Sequence, residues 1–379
     1  MPNNEPPFSH CGHESVTKQK SKEPGQSVIL TRKPSKVLPM TTFAAHPLHS
    51  ASPAGTPELR RLGRSGLTVS AIGLGCNNLG RPRTATESLD VSKTVINAAL
   101  DAGITFFDVA DMYGSQPGVS EEFLGKSLGA RRGEVVVATK FGLPASGING
   151  PEFEARGSRA YIMRAVEGSL RRLGTDYIDL YQFHTPDPLT PIDETLRALD
   201  DLITQGKVRY IGHSNRAGWQ VAQAEYVARE LGTARFISSQ NHYNLIDRRA
   251  EMEITPAAQE FGLGVLPYFP LANGLLTGKY SRTSAPADGR VVHSKPELLE
   301  SAPWEALAAL ADFAAERDMT VVEVAFSWLA AQPTVASVIA GATKIEQVAQ
   351  NARAIKPLSA DDLALIDQIF PGPGKVALF

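Results

Sequence analysis

From Glu58 onward, short β-branched or aromatic runs alternate with longer stretches whose apolar residues recur at helical spacing. The short runs predict strands at 72–74, 105–107, 135–139, 177–183, 208–211, 236–239, 264–268 and 335–340. The longer stretches predict helices at 88–102, 121–128, 159–173, 192–205, 219–230 and 345–354. Gly103, Gly174, Gly206 and Gly232 fall where helices should stop. Ahead of the first of these helices, 67–74 alternates apolar and small residues behind Arg64-Ser65-Gly66, which predicts a β-hairpin entered at Leu59. Eight strand–helix repeats in one run predict an α/β fold of the (β/α)8 TIM-barrel type with that hairpin at its N-terminal side. A doubly wound sheet is disfavoured, because Gly73, Gly75 and Gly80 do not complete the GxGxxG turn it would carry after its first strand.

Residues 1–57 break with this pattern. They hold nine of the 26 prolines and four of the eight histidines and show no apolar period, so a disordered N-terminal extension is expected ahead of one barrel domain at 58–379. Val28-Ile29-Leu30 is too short for the apolar core of a secretory signal, and Glu5, Glu14 and Glu23 argue against organelle import. Met40 is an alternative start, which leaves the native status of residues 1–39 open. Two cysteines, Cys11 and Cys76, are too few for a disulfide framework, so a reducing cytoplasm is expected. His10, Cys11 and His13 lack a second ligand pair, so no metal is assigned. The longest apolar run, 306–311, is far shorter than the roughly 18 residues of a membrane span. With 38 basic and 40 acidic residues the net charge is −2, which gives no field for nucleic acid. A small-molecule partner is expected, and oligomeric state stays unassigned.

Chemistry in a barrel collects at the carboxyl ends of its strands. Here those ends supply Asp108 and Tyr113, Lys140, His184, Ser214 and Asn215, Gln240 and Asn241, and Tyr268. Singly, each has an ordinary reading as helix cap, rim aromatic, solvated charge or hydrogen-bonded core histidine. Together, a carboxylate, an ammonium, a phenol and an imidazole make an acid–base set. A phenol of pKa about 10 needs a nearby cation to act as an acid at neutral pH. Lys140 is the candidate cation, Asp108 its compensating charge, and His184 the group to orient a carbonyl oxygen. No GxSxG elbow and no Cys- or His-rich ligand cluster appears in 58–379, so acyl transfer and metal hydrolysis rank below carbonyl reduction.

The chain resembles the aldo-keto reductase superfamily from about Leu59 to Ile369. The matching stretches are LGRSGLTVSAIGLG, FDVADMYG, the TK ending at Lys140, LGTDYIDLYQFH, GKVRYIGHSN, QNHYNL, YFPLANGLLTGKY and VIAGATKIEQVAQNARA. The resemblance implies hydride transfer between a nicotinamide dinucleotide and an aldehyde or ketone, with alcohol oxidation as the reverse reaction. It implies a catalytic tetrad of Asp108, Tyr113, Lys140 and His184, with Tyr113 as general acid. It puts Ser214, Asn215 and Gln240 at the nicotinamide carboxamide and Tyr268 against the nicotinamide ring. Leu271, Gly274 and Leu275 would line the pyrophosphate. Gly341, Ala342, Thr343, Lys344, Gln347 and Asn351 would form the adenosine-phosphate site, with Lys344 at a 2′-phosphate.

Some positions depart from the family pattern. Gly341 stands where many members carry lysine and Gln347 where many carry arginine, so a 2′-phosphate would meet fewer fixed charges than in strongly NADP-selective relatives; NADPH is still the expected cofactor, with NADH as the alternative. Phe269 replaces a common serine and Val109 a common threonine. His213 is expected to pack rather than react, because strand alternation turns it away from Ser214. The polar connections 143–157 and 281–303 are long enough to contact substrate or cover cofactor, and Phe141, Phe153 and Trp219 are candidate pocket residues. A cofactor-sensing regulatory subunit with little turnover is the alternative function.

Overall fold

The computed structural model describes residues 55–144, 147–151, 155–286, 291–292 and 295–374. Most of the expected extension, with His10, Cys11 and His13, lies outside the described residues, as does Phe153. Strands β1 (Leu59–Arg61) and β2 (Thr68–Ser70) form the antiparallel hairpin. Eight parallel strands follow: β3 (Ile72–Gly75), β4 (Phe106–Asp108), β5 (Val136–Phe141), β6 (Ile178–Phe183), β7 (Val208–Ser214), β8 (Ser238–His242), β9 (Gly264–Tyr268) and β10 (Val338–Gly341). Their order, β10-β3-β4-β5-β6-β7-β8-β9, is closed by a bridge between Val265 and Val335. The predicted strand at 335–340 is thus two pieces, a closing bridge and then β10.

The helices of eight or more residues among the described residues are α1 (Leu89–Asp101), α2 (Val119–Leu128), α3 (Arg159–Leu173), α4 (Ile192–Thr204), α5 (Gly218–Leu231), α6 (Ala250–Phe261), α7 (Trp304–Ala315), α8 (Val321–Ala331), α9 (Ile345–Ala352) and α10 (Ala360–Ile369). Ser88 caps α1 by accepting from the Val91 amide, one of the donors a helix start leaves unpaired. Four of these helices were not predicted, for different reasons. Helix α8 buries Val322, Val324, Phe326, Trp328 and Leu329 on all sides and so shows no stripe. Helix α6 runs through Pro256, which reads as a breaker. Helix α10 buries only Ile366. Helix α7 does carry the period, at Leu307, Leu310, Phe313 and Ala314, hidden among alanines.

Alternation along the strands sorts side chains into two cores. Phe106, Ala138, Leu180, Leu266 and Ile339 form the inner cluster, completed by Leu62 and Val69 of the hairpin. Val137, Tyr181, Ile211 and Val265 belong to the outer cluster, with Val95, Ile162 and Leu199 of the helices. The hairpin turn seats against the start of β9: a Cβ on Gly63, whose φ is +60°, would lie 2.5 Å from the Gly262 carbonyl oxygen. Only glycine permits that approach, and the Arg64 amide donates to the same carbonyl at 2.7 Å. The amino-terminal mouth is therefore plugged by apolar side chains, and polar groups gather at the opposite mouth. Among the described residues no helix is long and apolar enough to cross a membrane.

Candidate active site

Asp108 ends β4, Lys140 lies near the end of β5, and His184 follows β6 directly. Lys140 stands two residues beyond Ala138 and so shares its inward direction. Its Nζ donates to Asp108 Oδ2 at 2.6 Å and to the Val109 carbonyl at 2.9 Å, and both side chains are buried. The same Nζ lies 5.0 Å from the Tyr113 ring centroid. The His184 ring meets Tyr113 edge to face, with centroids 5.9 Å apart. The four residues singled out in the sequence therefore come together at one mouth of the barrel.

Burial opposes the charge of Lys140, yet Asp108 and Tyr113 outweigh it, and the ammonium is held above its usual pKa. Burial is also the largest influence on Tyr113 and raises its pKa, although Lys140 pulls it down by charge and by hydrogen bonding. From the sequence alone, Lys140 is expected to lower the phenol outright. Desolvation is the stronger effect, so Tyr113 holds its proton at neutral pH. Burial first, and Lys140 second, keep His184 well below the usual imidazole range. The site thus combines a fixed cation, a protonated phenol and a neutral imidazole.

A second polar layer surrounds this set. Gln240 Nε2 donates to Asp108 Oδ1 at 2.8 Å and Gln182 Nε2 to the same oxygen at 3.2 Å. Gln182 escaped the sequence reading, although its inward position two residues before His184 marks it. Ser214 Oγ donates to the Gln240 carbonyl at 2.7 Å, and Asn215 Nδ2 to the His184 carbonyl at 3.0 Å. Tyr268, half-buried at the rim, donates its hydroxyl to Asn215 Oδ1 at 2.8 Å. Ser214, Asn215, Gln240 and Tyr268 thus form one connected strip across β7, β8 and β9.

Beyond the strip the backbone turns sharply. Phe269, Ala272, Asn273 and Gly274 have φ of 52°, 48°, 59° and 121°, a concentration of left-handed residues that suits a backbone nest for an anion. Leu271 accepts from the Gly274 amide at 2.8 Å, Leu275 is buried, and Asn273 Oδ1 has no partner. Past β10, Thr343 donates its amide to Gln347 Oε1 at 2.8 Å, exposed Lys344 precedes the first turn of α9, and Asn351 is buried at its far end. A Cβ on Gly341 would crowd Asn78 Nδ2 at 3.2 Å. An aromatic shelf, an anion nest and a helix start with a lysine fit an extended nicotinamide dinucleotide. Gln347, tied to Thr343, brings no charge to this end.

Other polar residues support the site from behind. Asp111 accepts from Asn149 Nδ2 at 2.7 Å, and Asn149 thereby ties the connection after β5 to the one after β4. Glu121 accepts from Thr139 at 2.6 Å and from Arg172 at 2.7 Å. Burial and the neighbouring Glu121 push Asp111 up to about 7. Nothing in the sequence distinguished these two carboxylates from solvated loop and helix residues. Phe141 does not face a pocket: it is one residue past inward Lys140, so it turns outward and stacks on Tyr181 and Phe183 at 4.6 and 5.0 Å. Trp219 is exposed at the start of α5. His213 packs outward against Phe236, with centroids 5.1 Å apart. Among the described residues no group of three or more potential metal ligands exists.

A sequence profile described as the Aldo/keto reductase family matches residues 71–370. The uncharacterized oxidoreductase YrpG of Bacillus subtilis is 38% identical over 324 residues, covering 84% of this chain and 97% of that protein. A probable voltage-gated potassium channel subunit beta of Oryza sativa subsp. japonica is 35% identical, covering 82% of this chain and 95% of that protein. The L-glyceraldehyde 3-phosphate reductase of Escherichia coli strain K12 is 33% identical, covering 83% of this chain and 92% of that protein. A profile match over most of the barrel, together with relatives of this similarity along nearly their whole length, assigns the chain to the aldo/keto reductase family of oxidoreductases.

Proposed function

We propose that the protein reduces an aldehyde or ketone to an alcohol with a nicotinamide dinucleotide, using NADPH in preference to NADH and Tyr113 as the proton donor. The observation that carries this reading is the buried Lys140–Asp108 pair beneath the Tyr113 ring, with His184 at its edge. When bound, the nicotinamide supplies a hydride to the carbonyl carbon. Tyr113 Oη gives its proton to the oxygen that gains negative charge, and Lys140 stabilises the phenolate left behind. Asp108 keeps Lys140 charged without water. His184, held neutral, has a ring N–H to offer the carbonyl oxygen, which orients the substrate.

Ser214, Asn215 and Gln240 would hold the carboxamide, and the Tyr268 ring would leave one face of the nicotinamide open to substrate. Leu271, Gly274 and Leu275 would line the pyrophosphate, and Gly341, Thr343, Lys344, Gln347 and Asn351 the adenosine end. Lys344 is the positive charge for a 2′-phosphate, and with Gly341 and Gln347 uncharged, NADH should still bind. The reaction would take place in the cytoplasm, on a small carbonyl compound, with alcohol oxidation as its reverse.

The test follows cofactor absorbance with NADPH and a panel of aromatic, aliphatic, keto-sugar and dicarbonyl compounds. Tyr113→Phe should lower turnover at least about 10²-fold while NADPH binding persists. Turnover unchanged by that substitution would remove Tyr113 from the mechanism. NADPH binding without turnover on any compound would favour a cofactor-sensing regulatory subunit, the reading that the name of the rice relative favours.

A further inference from the structure

His242 ends β8 and Tyr268 ends β9, and the two are partners in the register of those strands. Their rings lie almost parallel, 10° apart with centroids 5.4 Å from one another. Phe269 stands edge-on to both, at 5.6 Å from His242 and 5.2 Å from Tyr268. The rim aromatic therefore has a second aromatic ring behind it and a third at its side.

The polar neighbours of His242 define its protonation. Its Nδ1 lies 3.0 Å from Asp247 Oδ2 and its Nε2 3.1 Å from Asn244 Nδ2. The orientation of the Asn244 amide is set independently, because its Oδ1 accepts from the Ile246 and Asp247 amides at 2.9 and 2.8 Å. Nδ2 is thus the donor, and it also donates to the Phe269 carbonyl at 2.9 Å. Facing a donor, Nε2 must accept, so the ring proton belongs on Nδ1 toward Asp247. One neutral tautomer satisfies every contact.

A second proton on Nε2 would set two donors against each other at 3.1 Å. Relief requires either that Asn244 turn over, breaking its three backbone hydrogen bonds, or that the imidazole swing away from Tyr268. The first course removes one hydrogen bond from the carbonyl of Phe269, which still accepts from the Ala272 amide at 2.9 Å, and so loosens a non-glycine residue at φ 52° that its neighbours must hold in place. The second course removes the ring behind Tyr268. Either way the shelf at the end of β9 moves.

We infer that neutral His242 is a positioning residue that braces Tyr268 for the nicotinamide ring, so that dinucleotide affinity is lost as His242 takes a proton. The inference rests on the reading of Tyr268 given above as the ring the nicotinamide stacks on. The charges facing the imidazole come from three elements. Burial is the largest influence and lowers its pKa, Asp247 of the β8–α6 connection raises it, and Arg249 of that connection and Lys295 lower it. Tyr268 of β9 is a protonated phenol, raised chiefly by burial. The net direction is downward, so the transition lies below 6.5.

The test titrates NADPH into the full-length protein between pH 5 and 8, following nucleotide fluorescence, for wild type, His242→Gln and His242→Phe. Glutamine can accept from Asn244 and donate to Asp247 without taking a proton, whereas phenylalanine keeps only the ring. The 2′-phosphate of NADPH itself titrates near pH 6, so the informative quantity is the difference between wild type and variants. From pH 7.5 to 5.0 the wild type should lose about threefold or more in affinity beyond what either variant loses. Histidine-ring NMR of the wild type supplies a second readout: NADPH should lower the His242 pKa by the amount that the affinity change requires. Identical pH profiles for wild type and both variants, or an NMR pKa unmoved by NADPH, would overturn the bracing role alone. Failure of the wild type to bind any dinucleotide would overturn the functional reading, and the bracing role with it.

Discussion

Lys140 keeps a full charge where water does not reach, and its only counter-charge within hydrogen-bond distance among the described residues is the Asp108 carboxylate 2.6 Å away. Removing one member of such a pair leaves the other as an unpaired buried charge, which is more costly than removing both. Lys140→Met is therefore expected to destabilise the fold by about 3–5 kcal/mol in urea unfolding, because Asp108 is left among Gln182 and Gln240 with no cation. Adding Asp108→Asn should recover most of that loss without restoring turnover. Equal stability of Lys140→Met and wild type would mean that the pair is not coupled. At this scale the sequence was informative wherever a polar residue interrupted an apolar strand near its end, as Lys140 and His184 do. The direction of the Tyr113 shift was not legible, since it depends on how completely the ring is enclosed. Gln182 looks like an ordinary polar residue of a strand, and His242 lies beyond the strand expected at 236–239. Their meaning comes from cross-strand neighbours, which a single sequence does not show.

Strand β5 and helix α3 are joined by a long connection, and Asn149 pins it to Asp111. Asp111 has a folded-state pKa of about 7, above the roughly 3.9 of an unfolded aspartate. The proton it binds stabilises the fold fully below about pH 4, and that contribution is lost as pH rises through 7. Asp111→Asn should abolish this loss. Relative to wild type, the variant gains stability as pH rises from 4 to 8, by at most about 4 kcal/mol if the whole shift is realised. Urea unfolding across that range measures it, and parallel curves for the two proteins would exclude Asp111 as the titrating group. Asn149→Ala should speed hydrogen exchange in 147–151, because Asn149 supplies the side-chain donor to Asp111. The elements themselves were legible in proportion to how one-sided their burial is. Helices α1, α3 and α4 expose one face and bury the other, so their stripes were read. Helix α8, buried all round, and α10, with one fully buried residue, lacked that contrast.

The eight strands are not joined equally around the barrel. Strands β5 and β6 share a ladder of four paired residues, whereas β9 meets the segment before β10 only where Val265 exchanges hydrogen bonds with Thr334 and Ala336, at 2.7 and 3.0 Å. The residues proposed to hold the dinucleotide lie on both sides of this seam, at 268–275 after β9 and at 341–351 after β10. A ligand that engages both sides adds a link where the backbone supplies least, and it stabilises the native state by mass action wherever it binds. NADPH at 100 times its dissociation constant should raise unfolding free energy by about 2.7 kcal/mol. The location of the effect distinguishes a seam-spanning ligand from one that binds elsewhere. Hydrogen exchange should slow more at 264–268 and 334–341 than at β5 and β6. Lys344→Ala should reduce the stabilisation given by a fixed NADPH concentration and leave that given by NADH unchanged, since only the former carries a 2′-phosphate. Uniform protection around the barrel, or equal losses with both nucleotides, would show that the ligand does not span the seam with its adenosine end at Lys344.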